Sequence, residues 1–297
     1  MWDCAIIGGG PAGLTAATYL GRFKRDVVLI DAGASRLKRV PHTRNTPGFP
    51  DGIAGADLLA RLQDQASRYG ALFRAGTIET IERTERGFDL RLGSEHLKAK
   101  TVLLATGAHL TEPDLPNLDE ALWRGLIRYC PICDGYEAHD KNIAVLGARS
   151  GGIAEAHFLR TYSDHVTYLW QGEGEPTGAE RNAAEARGIR VAQAPVKTLR
   201  VAEQVEAVCG DSPPEAFDVL YPCLGCDPQS ELARQAGARV SPEGGVIVDA
   251  LHHTTIKRLY AAGDVLQGLD QIASACGQAA IAAVAIHNAL REQDEVR

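Results

Sequence analysis

The chain has 297 residues, of which 45% are hydrophobic, 23% charged and 6% aromatic. At about 100–200 residues per domain this length suggests two domains with sizeable cores, and the ordinary composition excludes global disorder, a collagen repeat and a small disulfide-stapled scaffold. The 31 basic and 38 acidic residues leave a net charge of −7, so there is no cationic excess for phosphates, and neither nucleic acid nor a membrane surface is expected as a partner.

The N-terminus enters an apolar strand, 2–8, without a basic n-region, a long apolar segment or a cleavage site, which points to the cytoplasm. Gly8-Gly9-Gly10-Pro11-Ala12-Gly13 follows, then a helix over 12–23 and a second strand, 26–31, ending in Asp31. This is the dinucleotide fingerprint in its proper setting. Gly8 makes the tight turn, Gly10 lets the backbone approach a pyrophosphate, and Gly13 lets helix and strand pack closely. Asp31 is the acid the fingerprint requires. A Gly-rich turn beside an ordinary surface aspartate is the plainer alternative.

Residues 55–69 carry helical periodicity. Residues 77–82 and 88–92 read as antiparallel strands, and 101–106 as a buried strand closed by Thr106-Gly107. A Pro-bearing linker, 107–118, precedes a restart of the same plan: strand 142–147, a small-residue turn, helix 153–162 and strand 166–170. The first glycines of the two copies, Gly8 and Gly147, are 139 residues apart (147 − 8). A strand over 259–265 containing Gly263-Asp264 and an Ala-rich apolar stretch, 272–290, close the chain. That stretch imitates a membrane span, but Gln278, His287 and Asn288 within it favour a buried helix.

The 7 cysteines are odd in number and too few for a secreted disulfide framework. Four of them form two C-x-x-C pairs, Cys130/Cys133 and Cys223/Cys226; Cys4, Cys209 and Cys276 stand alone and read as packing. In Cys130-Pro131-Ile132-Cys133-Asp134-Gly135, two thiols can close a small disulfide loop and the carboxylate of Asp134 can move protons during exchange. A buried structural pair, or a zinc site using all four cysteines, are the alternatives; the 90 residues between the pairs (223 − 133) argue against zinc.

Taken together these motifs resemble the low-molecular-weight thioredoxin reductases over nearly the whole chain. Cys-Pro-Ile-Cys-Asp-Gly resembles their redox motif, and Asn45-Thr46-Pro47-Gly48-Phe49-Pro50 their flavin-side loop. Thr106-Gly107, Gly263-Asp264 and Gln271-Ile272 stand where their further FAD signatures lie. The resemblance implies an α/β fold of two Rossmann-like, three-layer dinucleotide-binding domains, the second inserted into the first. Residues 1–112 and 246–297 would bind FAD, and 113–245 would form the NAD(P)H-binding-like domain carrying the redox pair. It implies that Gly8, Gly10, Pro11, Ala12, Gly13, Asp31, Asn45, Thr106, Gly107, Gly263, Asp264, Gln271 and Ile272 hold FAD, with Asp264 on the ribityl chain. Cys133 is implied to face the flavin and form the charge-transfer thiolate, Cys130 to exchange with the external disulfide, and Asp134 to carry the proton. The family is usually homodimeric and alternates access by rotating one domain against the other.

The sequence departs from this pattern at four places. The second glycine loop, Gly147-Ala148-Arg149-Ser150-Gly151-Gly152, puts Arg149 where a pyrophosphate should approach; the loop adapting, with Arg149 binding phosphate, is the alternative. After strand 166–170 the basic residues for a 2′-phosphate are replaced by Gln171-Gly172-Glu173-Gly174-Glu175. The usual Gly-Gly-Gln loop after the acid is replaced by Asp31-Ala32-Gly33-Ala34-Ser35-Arg36, and an arginine preceding Gln271 is replaced by Asp270. These features resemble an NADPH-independent branch, which comprises gliotoxin- and holomycin-type dithiol oxidases that use oxygen and reductases that use ferredoxin. The oxidases carry a histidine after the second cysteine; here it is Asp134, with His139 nearby and expected at the surface. The expected function is FAD-mediated exchange between Cys130/Cys133 and a thioredoxin-like protein or a small-molecule disulfide or dithiol. A conventional NADPH thioredoxin reductase, an oxygen-dependent dithiol oxidase and a non-turnover flavin sensor are the alternatives. Cys223/Cys226 read as core residues, with a second dithiol relay as the other possibility.

Overall fold

The fold is taken from a computed structural model and described for residues 1–148 and 151–295; Arg149 and Ser150, on which one reading of the second glycine loop turns, lie outside the described residues. β1 (Trp2–Ile7) is buried along nearly its whole length, with Cys4 and Ile6 in the core on one face of the sheet and Ala5 and Ile7 in the core on the other. α1 (Pro11–Arg22) follows the glycine loop with Pro11 in its first turn, where the missing N–H leaves no bond unmade. β2 (Val27–Asp31) lies parallel to β1. α2 (Gly55–Arg68) leads to β3 (Leu72–Ala75), which adds to the outer edge of β2. β4 (Thr80–Thr84) and β5 (Gly87–Leu92) form the expected antiparallel pair, and β6 (Glu95–Leu104) carries β5 along its first half and β1 along its second. The sheet order is β3-β2-β1-β6-β5-β4.

The chain leaves this sheet through β7 (Ala108–Leu110). α3 (Leu118–Trp123) and α4 (Pro131–Asp134) precede a second parallel sheet. It is built from β8 (Ile143–Gly147), α5 (Gly151–Leu159), β9 (Val166–Trp170), α6 (Gly178–Glu185) and β10 (Ile189–Val191). An antiparallel meander follows, β11 (Val196–Val201), β12 (Val205–Cys209) and β13 (Glu215–Phe217). β14 (Val219–Cys223) completes the order β10-β9-β8-β14, which repeats the β3-β2-β1-β6 plan. The repeat visible in the glycine spacing is therefore a repeat of topology, and the molecule is an α/β protein with two Rossmann-like units, the second within the first.

β15 (Cys226–Pro228) returns antiparallel to β7, so the two crossings between the sheets run side by side as one ribbon. α7 (Glu231–Gln235) then packs on β4, and Leu232, Ala233, Ala236 and Val246 are buried with the first sheet's core residues. The expected boundary at 245/246 thus falls inside a segment that already covers the first sheet. β16 (Leu259–Ala261) pairs with β6 and ends sooner than the expected 265, because Gly263 turns the chain at φ +83°. α8 (Ile272–Glu295) packs along α1. Among the described residues it is the one helix long and apolar enough to cross a membrane by length and composition. Ala275, Ala279, Ala282, Ala283, Ile286 and Leu290 face the core, while Ile281 and Val284 are exposed.

Candidate active site

Cys130 and Cys133 are joined by a disulfide that spans the single turn of α4. Cys130 caps that turn in extended conformation, and the backbone N–H of Cys133 donates to its Sγ at 3.1 Å. Pro131 fixes the first helical residue at no hydrogen-bond cost. The turn ends against Tyr162: a Cβ at Gly135 would stand 2.6 Å from the Tyr162 ring and 2.5 Å from the Pro131 carbonyl oxygen. Both cysteines are half-buried, and Ile132 and Tyr136 beside them are exposed at 52% and 77%.

Asp134 is strongly changed by its surroundings. Burial pushes its carboxyl up to about 6, with the Arg128 charge and a hydrogen bond from Tyr221 pulling partly back. The Tyr221 hydroxyl, on a fully buried side chain of β14, donates to Asp134 Oδ1 at 3.0 Å, and Arg128 Nη1 donates to the Asp134 carbonyl at 2.8 Å. A carboxyl that titrates near neutrality beside a thiol pair can deliver or accept a proton at working pH. His139 is exposed and pairs with Asp140 at 2.8 Å, away from this network.

The disulfide faces the first unit. Gln271 Nε2, just before α8, lies 3.2 Å from Cys130 Sγ and 3.3 Å from Cys133 Sγ, and Asn45 Nδ2 donates to Gln271 Oε1 at 2.8 Å. Asn45 and Gln271, 226 residues apart, thus meet at the redox pair. Ion pairs surround this contact: Arg44 with Glu137 at 3.7 Å, and Arg39 with both Glu112 and, at 2.8 Å, Asp119.

The first glycine loop has the shape that a dinucleotide requires. A Cβ at Gly8 (φ +115°) would lie 2.1 Å from the Ala105 carbonyl oxygen, and one at Gly13 would lie 1.9 Å from the Gly8 carbonyl oxygen. At Gly10 the nearest atom is Ser35 Oγ at 3.6 Å, so the backbone there is open to an approaching group. Pro11 and Ala12 begin α1, whose N–H groups point into the same space. Asp31 Oδ1 accepts from Gly9 N at 3.1 Å. Asp264 is two-thirds covered or more; burial and then the neighbouring Asp270 push it up to about 6. Gly263 N donates to Gln278 Oε1 at 2.8 Å, which holds the turn before Asp264. Thr106 Oγ1 donates to the Gln229 carbonyl at 2.7 Å and Gly107 O accepts from Gln229 N at 2.9 Å, so this pair fastens the β7–β15 ribbon. Ile272 packs against the first core. The residues present fit FAD: an open glycine cradle, an acid at the end of β2 and a carboxylate at the end of β16.

The second glycine loop is arranged differently. Gly174, in the turn after β9, is buried against it: a Cβ there would lie 2.4 Å from the Gly147 carbonyl oxygen and 2.9 Å from Ala148 Cα. The Tyr168 hydroxyl donates to the Gly174 carbonyl at 2.9 Å, and the same ring fills the space beneath Gly147 and Gly152. Glu173 and Glu175 are exposed on this turn, and Arg181 is engaged with the Val191 and Ala192 carbonyls.

The second C-x-x-C is divided between two surroundings. Cys223 bonds with Glu155, and burial, then that carboxylate, raises its thiol strongly. Cys226 lies 3.7 Å from Asp270 Oδ2, with its thiol pushed up to about 11 by burial and then by Asp270. Both are free thiols, whereas Cys130 and Cys133 are bonded to each other. The contributions of Tyr221 and Ser35 are not marked in the sequence, since each depends on contacts between distant segments, and Arg128 reaches Asp134 across six residues that carry no local signal of the contact.

A C-x-x-C disulfide carried by one Rossmann-like unit and contacted by Gln271 of another that bears an open glycine loop defines a thioredoxin reductase-like, FAD-dependent disulfide oxidoreductase. The chain belongs to the pyridine nucleotide-disulphide oxidoreductase family, whose model matches residues 2–279. It is 26% identical to the thioredoxin reductase of Bacillus subtilis (strain 168), over 99% of this chain and 96% of that protein. Among solved structures it is similar to HlmI, at 30% identity and a TM-score of 0.92, covering 99% of this chain and 94% of that one. It is also similar to the thioredoxin reductase from Streptococcus pyogenes MGAS5005, at 27% identity and a TM-score of 0.90, covering 98% and 99%.

Proposed function

We propose that this enzyme passes two electrons between FAD and an external disulfide or dithiol through Cys130 and Cys133, and that NADPH is not its electron partner. The observation that carries the second half is the turn after β9: Gly174 is packed onto Gly147 and Ala148, and the exposed charged side chains of that turn, Glu173 and Glu175, are acidic where a 2′-phosphate would need a cation. Among the described residues the turn after β9 offers no Lys or Arg to a 2′-phosphate, which supports this reading, and no step is routed through NADPH.

FAD, when bound, supplies the two-electron redox chemistry; the remaining chemistry belongs to the chain. In the dithiol-oxidising direction an external thiolate attacks Cys130 Sγ, the Cys130–Cys133 bond breaks, and Cys133 leaves as a thiolate. The second external thiolate then attacks its own partner's sulfur, releasing an external disulfide and the Cys130 thiolate. Asp134 takes up the thiol proton, with Tyr221 and Arg128 fixing its position. The reductase direction is the same sequence reversed. The exposed Ile132 and Tyr136 beside the pair support a thioredoxin-like protein or an apolar small dithiol as partner. The exposed Ile281 and Val284 of α8, with Leu251 and Tyr19 lining the same groove, support a homodimer. A cytoplasmic location is part of this reading.

The test is anaerobic mixing of the oxidised holoprotein with NADPH, NADH, reduced ferredoxin or a dithiol while the flavin band is followed. No bleaching by NADPH is expected. Bleaching by dithiols with recovery in air identifies an oxygen-dependent dithiol oxidase, and bleaching by reduced ferredoxin a reductase of protein disulfides. Fast bleaching by NADPH overturns the proposal.

A further inference from the structure

Two of the sequence departures described above meet in space. Arg36 replaces part of the usual loop after Asp31, and Asp270 stands where an arginine is expected before Gln271. In the structure Arg36 Nη1 is 3.1 Å from Asp264 Oδ2 and 4.0 Å from Asp270 Oδ2. Asp264 lies after β16 and Asp270 just before α8, while Arg36 belongs to a single 3-10 turn after β2. Three segments, 234 residues apart at the extremes (270 − 36), therefore place one cation between two carboxylates.

Their position relative to the cradle is fixed by the neighbouring residue. Ser35 Oγ is the nearest atom to the open side of Gly10, the glycine over which a pyrophosphate passes. Arg36 directly follows it, and Asp264 carries the third signature of the same cofactor. The site thus has a cation beside the diphosphate path, supplied from the segment after β2 and not from the one before α8. Without that cation, Asp264 and Asp270 would face each other and a diphosphate, an arrangement of like charges that disfavours an anionic ligand. An arginine suits this place because its planar fork can bond to two oxygens at once.

We propose that Arg36 is a FAD-binding residue, held for the diphosphate side of the cofactor by Asp264 and Asp270, and that the arginine-to-aspartate change at position 270 is compensated by it. Asp270 acts through Arg36 and is a positioning residue. This inference rests on the flavoprotein reading given above. Cys226 completes the group through its contact with Asp270.

The experiment is FAD binding by the full chain, followed by flavin fluorescence on refilling apoprotein, with flavin content after gel filtration as a second readout. Circular dichroism of each apoprotein establishes that it is folded. R36Q is expected to weaken FAD at least about tenfold, the loss of one charge-assisted contact. R36K, which keeps the charge without the fork, is expected to fall between wild type and R36Q. The charge-exchanged double variant R36D/D270R is expected to return to within about threefold of wild type, whereas R36D alone is not. Folded R36Q that binds FAD as tightly as wild type overturns the assignment and leaves the flavoprotein reading intact. Equal weakening in R36D and in the exchanged double variant overturns the compensation. Wild-type apoprotein that takes up no FAD overturns the flavoprotein reading and this inference together.

Discussion

Gln271 Nε2 lies within 3.3 Å of both sulfurs of the Cys130–Cys133 disulfide, while its Oε1 accepts from Asn45. Sulfur is a weak acceptor as a disulfide and a strong one as a thiolate, so this amide favours the reduced pair. Gln271→Leu is expected to slow electron exchange between the cysteine pair and the flavin about tenfold, one hydrogen bond to a charged group in magnitude. Stopped-flow absorbance with a dithiol measures it. Unchanged kinetics at full flavin content would assign Gln271 to packing alone.

Asp134 gives a prediction with a definite sign. Its folded-state value is raised from 3.8 to about 6, chiefly by burial. A carboxyl raised in this way binds its proton more tightly folded than unfolded. The cost to stability is therefore absent below about pH 4, grows as pH rises through 4 to 6, and is complete above. Asp134→Asn is expected to raise the stability of the oxidised protein at pH 8, with about 3 kcal/mol as a ceiling, and to change it little at pH 4. The same variant is expected to lower dithiol oxidation about a hundredfold or more, and to remove the rise in wild-type rate through pH 6. Thermal melts at the two pH values and a pH–rate profile decide the matter.

Cys223 and Cys226 are expected to be dispensable for turnover. Their sulfurs have different partners, Glu155 on the second unit and Asp270 on the first, and both thiols are raised, which lowers the thiolate fraction needed for exchange. Replacing both by serine is expected to leave flavin reoxidation unchanged and stability within about 1 kcal/mol. Replacing Cys130 or Cys133 by serine is expected to abolish dithiol turnover. Loss of flavin reoxidation in the Cys223/Cys226 variant would restore the relay.

The strands and helices flanking the glycine loops were legible because burial on both faces writes continuous apolar runs, as in β1, β8 and β9. β3 was not, since it is a four-residue edge strand with exposed ends and no alternation. The β7–β15 ribbon escaped notice for a similar reason: each strand has three residues, and their pairing joins positions such as His109 and Asp227, 118 apart (227 − 109). At the site the cysteines and Asp134 were legible as a motif. Tyr221 was not, because nothing local to an apolar strand marks the one side chain whose hydroxyl reaches a distant carboxylate.

The disulfide-in arrangement is held partly by charges that salt should loosen. Arg44–Glu137 and the Arg39–Glu112/Asp119 pair link the flavin-side segment to residues before and after the redox turn. Arg39 and Arg44 are each about half exposed, so each contact contributes roughly 0–1 kcal/mol. Gln271 and the ribbon hold the same interface without charge. Raising ionic strength from about 0.1 to 1 M shortens the screening length from about 10 to 3 Å. The Cys130–Cys133 bond is therefore expected to become more accessible to dithiothreitol, by about fivefold for a combined loss near 1 kcal/mol. Mass spectrometry of quenched samples follows the reduction. An Arg39→Gln/Arg44→Gln variant is expected to show the faster rate already at low salt and to lose most of the further salt dependence. That variant separates the interface from general salt effects on the thiol reagent: if it keeps the full wild-type salt response, these ion pairs do not hold the orientation, and the uncharged contacts of Gln271 and the ribbon carry it.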